Sequence, residues 1–194
     1  MHFLDLKYFI HQNRAQLLIS IGAVLALLAI LLFMKGRYDS ALASGKASFN
    51  QNDYAAAQKK FEAAVGMMPF SGELRGYLGL SLKRQGLDDQ ALSELTSAIA
   101  LGYRTKIIYQ SRGAIYFLRN DLSRAEADFR LAVGLATDDA VANYWLAKTL
   151  IVEGKYEEAL PFAQVAVKSK NTSIKDALTE LYNNFGHDEF SKQL

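Results

Sequence analysis

The sequence predicts an all-α protein: an α-solenoid of four helix-turn-helix units closed by a C-terminal capping helix and preceded by a single transmembrane helix. Three observations carry that prediction. Twenty residues near the N-terminus are free of charge, short turn signatures recur every 34 residues, and two prolines stand against 13 glycines in 194 residues, which suits long helices punctuated by glycine. At 51% apolar and 22% charged, the chain is too apolar for disorder. The formal net charge of +2, without long runs of one sign, argues against nucleic acid as a partner. The absence of cysteine excludes disulfide frameworks and thiolate chemistry.

Residues 1–14 read as a juxtamembrane segment; Phe3, Leu4, Leu6, Phe9 and Ile10 among Asp5, Lys7 and His11 suit a short helix in the headgroup region. Residues 15–34 read AQLLISIGAVLALLAILLFM, apolar on every face. At about 1.5 Å per residue they reach about 30 Å, the thickness of a bilayer's hydrocarbon core. A cleavable signal peptide is the rival, but its small-residue site at Ala41 to Ala43 lies beyond Lys35 and Arg37, so an uncleaved anchor is expected. Flanking charge leaves orientation open, with Lys7 and Arg14 before the span and Lys35, Arg37 and Lys46 after it. Gly22 and Ala26, four apart, form a small-residue pair that lets a second spanning helix approach closely. Residues 35–37 are expected as a short linker.

The repeats follow. Asn52, Gly86, Asn120 and Gly154 sit at 34-residue intervals, and glycine and asparagine enter the left-handed backbone region at least cost, so a helix stops and reverses at each. The same clock runs through Gly45, Gly79, Gly113 and Ala147; through Ala57, Ala91, Ala125 and Ala159; and through Ala64, Ala98, Ala132 and Ala166. Small side chains at helical spacing mark close approach of a neighbouring helix. Phe61, Leu95, Phe129 and Ala163 fall between them as the filling residues.

On these residues the chain resembles the tetratricopeptide repeat (TPR) family, a 34-residue helical hairpin. The third unit carries Tyr109, Gly113, Tyr116, Ala125, Phe129 and Ala132, with Arg112 where leucine is usual; the first carries Gly45, Ala57, Phe61, Ala64 and Pro69, with Ser48 where tyrosine is usual. Units are set at 38–71, 72–105, 106–139 and 140–173, followed by a capping helix at 174–185, with Ile174, Ala177, Leu178, Leu181 and Phe185 as its inner face, and a polar tail at 186–194. The layout also resembles bacterial inner-membrane proteins with one N-terminal span and a repeat domain, which implies a periplasmic array.

The resemblance implies a concave groove lined by the first helix of each unit, and partner-binding residues Lys46, Phe49, Tyr77, Leu80, Lys83, Arg84, Phe117, Tyr144, Trp145 and Lys148. Ile107, Gln110, Ser111, Ala114 and Val141 face the same way by register. Leu42, Lys46 and Tyr77 replace residues with which some family members grip a terminal carboxylate, so that binding mode is not expected. Tyr144 and Trp145 read equally well as core, and a terminal segment of the chain is an alternative occupant of the groove. Histidine occurs only at His2, His11 and His187, and no phosphate cradle or nucleophile elbow is present, so no metal, cofactor, small-molecule substrate or catalytic residue is expected. The reading is a non-enzymatic membrane scaffold or adaptor that binds protein partners in the same membrane and supports complex assembly. The alternatives are a periplasmic chaperone-like adaptor and an accessory domain of an envelope enzyme.

Overall fold

The computed structural model describes residues 13–169 and 172–194, so the segment expected as an interfacial helix lies outside the described residues. Among the described residues there are ten helices and no strand: α1 (Arg14–Asn50), α2 (Tyr54–Met67), α3 (Gly72–Arg84), α4 (Asp88–Ala100), α5 (Lys106–Leu118), α6 (Leu122–Leu135), α7 (Ala140–Val152), α8 (Tyr156–Val167), α9 (Thr172–Asn184) and α10 (Asp188–Ser191). Helices pair as α1 with α2, α3 with α4, α5 with α6 and α7 with α8, and each hairpin packs on the next in chain order. The odd-numbered helices touch along the stack, α1 on α3, α3 on α5 and α5 on α7, which is the arrangement of an α-solenoid.

The 34-residue clock has a backbone cause. Asn52 and Asn120 have φ of 60° and 59°, and Gly86 and Gly154 have φ of 76° and 79°. At each turn a backbone N–H reaches back five residues, Asp53 to Ser48, Leu87 to Leu82, Asp121 to Tyr116 and Lys155 to Leu150. This is the six-to-one bond that closes a helix with a left-handed residue at its end. Side-chain oxygens of Asp53, Ser71, Asp121 and Asp139 then accept from the first turns of α2, α3, α6 and α7.

Inside each hairpin the small residues make room for the filling ones. A Cβ at Gly45 would stand 2.4 Å from Phe61, at Gly79 2.8 Å from Leu95 and at Gly113 2.9 Å from Phe129, all closer than carbon atoms tolerate. Phe61, Leu95 and Phe129 are completely buried. Arg112, in place of the usual leucine, has a partner: Nε and Nη2 donate to the two carboxylate oxygens of Asp128 at 2.8 and 2.7 Å, with Asp128 3% exposed.

Two boundaries differ from expectation. Residues 35–37, expected as a linker, are helical, and α1 runs unbroken from the apolar segment into the first hairpin. No stop signal lies there: Gly36 is a single glycine without a following proline, and Lys35 bridges one turn to Asp39 at 2.7 Å. From Gln16 to Met34 every residue with a described side chain is exposed, and α1 is long and apolar enough to cross a membrane. The second difference is at the other end. Residues 186–194, expected as a polar tail, form a fifth turn at Gly186 (φ 78°), with His187 N–H bonded to the Tyr182 carbonyl, and then α10. Phe190 packs on Tyr182 at 5.6 Å between ring centres and His187 lies on Tyr156 at 3.8 Å. Tyr182, not Phe185, is the buried aromatic of α9, and burial pushes its hydroxyl up to about 12.

A charged lattice ties α6 to α8. Glu126 accepts from Arg130 at 2.6 Å and Lys155 at 2.7 Å, while Arg130 also pairs with Glu158 and Lys155 with Glu153. Burial opposes ionisation of Glu126, but the hydrogen bonds from Lys155 and Arg130 outweigh it and draw the carboxyl down to about 2. A depressed carboxylate stabilises the fold above its unfolded value, and that contribution disappears as pH falls through the folded one. Urea midpoints are therefore expected to drop between about pH 4.5 and pH 2, and Glu126→Gln to flatten that drop.

Candidate partner-binding trough

The odd-numbered helices form a trough of about 580 Å³ crossing the C-terminal end of α1, α3, α5 and the start of α7. Its floor is aromatic. Tyr77 stacks on the buried Phe61 (ring centres 5.5 Å apart, 21° between planes), meets Phe49 edge-on at 6.2 Å and reaches Tyr103 at 6.5 Å. Leu80, Ile107, Ala114, Val141 and Trp145 continue the apolar lining, and Asn50, Gln110 and Ser111 supply hydrogen-bonding groups.

The charges in the wall are all positive. Lys83, Arg84 and Lys106 line the trough, and no carboxylate does among the described residues. Lys106 is neutralised by Asp139, which Gln110 also contacts at 3.2 Å. The Lys83 ammonium makes no ion pair or hydrogen bond with a described residue, and its pKa is lowered first by burial and then by the adjacent Arg84 charge, with Asp88 opposing. Arg84 lies over the Tyr54 ring at 5.9 Å without a carboxylate partner. Two cations held together without a hydrogen-bonded carboxylate, with only the Asp88 charge acting on Lys83, favour an anionic group from outside.

Of the ten residues expected to bind partners, six line this one trough: Phe49, Tyr77, Leu80, Lys83, Arg84 and Trp145. Lys46 is engaged internally, bonded to Glu73 at 2.8 Å and lying 4.6 Å above the Tyr77 ring; Tyr38 donates to the same carboxylate at 2.8 Å. Phe117, Tyr144 and Lys148 gather around Trp145 instead. The rings of Phe117 and Tyr144 meet the indole edge-on at 5.7 and 5.6 Å, and the Lys148 ammonium sits 5.3 Å from it. Tyr144 and Lys148 line a separate hollow of about 220 Å³ with Ala177, Glu180, Leu181 and Asn184 of α9. Trp145 serves trough and core together, because it also stacks on the buried Phe129 at 5.6 Å and 15°. Gly22 and Ala26 lie exposed on α1, and a Cβ at Gly22 would meet nothing within 4 Å.

Tyr103 and Lys106 were not among the expected residues: Tyr103 lies in the connection between α4 and α5, and Lys106 is the first residue of α5. A signal existed. Gly72 and Gly76, four apart on α3, leave the space that Tyr103 fills: Cβ atoms there would stand 2.9 and 2.7 Å from its side chain.

A family model described as "Tetratricopeptide repeat" matches residues 42–102 and 119–174. Among solved structures, MamA from Desulfovibrio magneticus RS-1 superposes with a TM-score of 0.69 over 80% of this chain and 89% of that one, at 14% identity. YrrB, described as a TPR protein with an unusual peptide-binding site, gives 0.68 over 78% and 79%, also at 14% identity. The sequence is 29% identical over 85 residues to Tetratricopeptide repeat protein 13 of Homo sapiens, a match covering 44% of this chain and 10% of that protein. The chain thus spans about a tenth of the curated relative it matches, and the structural likenesses establish the fold.

Proposed function

The chain belongs to the tetratricopeptide repeat family, and from that premise we propose that it is a membrane-anchored, non-catalytic scaffold that captures an acidic segment of a protein partner in the trough. The observation that carries this reading is the pairing of Lys83 and Arg84, neither bonded to a described carboxylate, above an aromatic floor from which carboxylates are absent among the described residues. Tyrosine, tryptophan and arginine are the side chains that dominate binding energy at protein interfaces. The fold shared with YrrB, whose description names a peptide-binding site, supports the same use of the solenoid.

The exposed apolar run of α1 supports anchoring, and its direct continuation into the first hairpin keeps the array beside the bilayer, where partners in the same membrane are within reach. A bacterial inner membrane with the repeats in the periplasm is the setting this layout fits, and assembly or stability of a membrane complex is the role. A photo-crosslinking residue at Ser111, on the trough wall, is expected to recover a stoichiometric partner from native membranes. Lys83→Glu with Arg84→Glu should lower that yield roughly tenfold or more, the scale of losing one well-placed charge contact, with the thermal midpoint unchanged. An undiminished yield from the charge-reversed chain would remove the trough from consideration.

A further inference from the structure

A second cleft, of about 590 Å³, lies between α1 and the last turns of α2, where the apolar run ends. It rests on different residues from the trough. Phe33 and Met67 form its apolar mouth, Ser40 and Ser44 its hydroxyl-bearing wall, and Arg37 and Lys60 its two cations; no carboxylate lines it among the described residues. The Arg37 guanidinium has only soft partners, the Met67 sulfur at 3.1 Å and the Phe33 ring at 5.9 Å. Lys60 donates to neutral oxygens, Ser48 Oγ at 2.8 Å and the Ser44 carbonyl at 3.3 Å. By contrast, Lys35 nearby is neutralised by Asp39.

We infer that this cleft binds the headgroup of an anionic phospholipid, with the phosphate on Arg37, the headgroup hydroxyls toward Ser40, Ser44 and Lys60, and an acyl chain against Phe33 and Met67. The inference rests on the reading of α1 as a membrane span. At about 1.5 Å of rise per residue, Arg37 stands roughly 4–5 Å beyond Met34, within a headgroup layer roughly 5–8 Å deep. Phe70, 85% exposed three residues past Met67, extends the apolar edge at the same end of the hairpin. Arg37, without a carboxylate partner at that depth, is complementary to the phosphate of an anionic lipid; Lys60, level with Ser44 about 15 Å beyond Met34, adds positive charge above the layer, and the flanking apolar groups are complementary to the chains beneath.

The full chain, reconstituted into vesicles of equal phosphatidylcholine and phosphatidylglycerol, is floated on a density gradient, extracted gently and weighed with its retained lipid by native mass spectrometry. Phosphatidylglycerol is expected to be enriched roughly five- to thirtyfold, the scale set by one to two basic groups near an anionic surface. Arg37→Gln with Lys60→Gln should abolish the enrichment, whereas Arg37→Lys with Lys60→Arg, and the exposed control Lys59→Gln, should keep it; helicity by circular dichroism confirms that each variant folds. Floated protein that retains both lipids equally, or whose enrichment survives the double glutamine variant, overturns the lipid site while leaving the anchor standing. Protein that does not float overturns the anchor and the lipid site together. Displacement of the bound lipid by millimolar inorganic phosphate would show an ion site and overturn the assignment to lipid.

Discussion

Asp128→Ala is expected to destabilise the array by about 3–5 kcal/mol, because it strands the Arg112 guanidinium in a site that is only 17% exposed. The two side chains form a closed fork between α5 and α6, and the Asp128 carboxylate is almost wholly buried. Bonding to Asp128 is also the main reason the Arg112 pKa is raised, ahead of the opposing burial. Removing both charges tells the pair's worth from the penalty of breaking it: Arg112→Leu with Asp128→Ala should recover most of the loss, since leucine is the usual occupant and buried pairs are replaced by apolar groups at little net cost. In a stack whose units lean only on their neighbours the damage should be local. Amide hydrogen exchange is expected to accelerate in α5 and α6 first, and uniform acceleration along the chain would contradict that.

Trp145→Ala is expected to cost about 3 kcal/mol, near the lower bound for truncating a large aromatic core residue, since one indole face is stacked on Phe129 while another edge opens to the trough. Thermal unfolding should show the loss, and Trp145→Phe should restore part of it. Removing Tyr144 and Trp145 together is therefore expected to disturb the array as well as the trough. A binding defect in that variant would not distinguish a lost contact from a collapsed wall, so Lys83 and Arg84 are the residues on which partner capture is tested.

The repeat architecture was legible because its determinants are local. A left-handed residue must be asparagine or glycine, and it stands at Asn52, Gly86, Asn120 and Gly154; a close approach must be glycine or alanine, and Gly45, Gly79 and Gly113 each face the ring or branch that excludes a Cβ. What escaped reading depends on atoms distant in sequence. Arg112 looked like a departure from the family pattern until its partner sixteen residues away, on the next helix, was in view. Lys46 and Lys83 looked equivalent, yet Glu73 from the following hairpin bonds the first and no described residue hydrogen-bonds the second. Gly36 between two cations suggested a break, but a lone glycine costs a helix only about 1 kcal/mol, less than the surrounding leucines and the pairing with α2 supply.

The unbroken course of α1 has a mechanical consequence. A rod of 37 residues, about 55 Å long at 1.5 Å per residue, has no swivel between its exposed apolar length and the hairpin it enters. Tilting or spinning one end therefore turns the other by the same angle, and a ligand seated among Phe49, Tyr77 and Lys83 swings with it. The helix works as a crankshaft, transmitting torque where a flexible cord would absorb it.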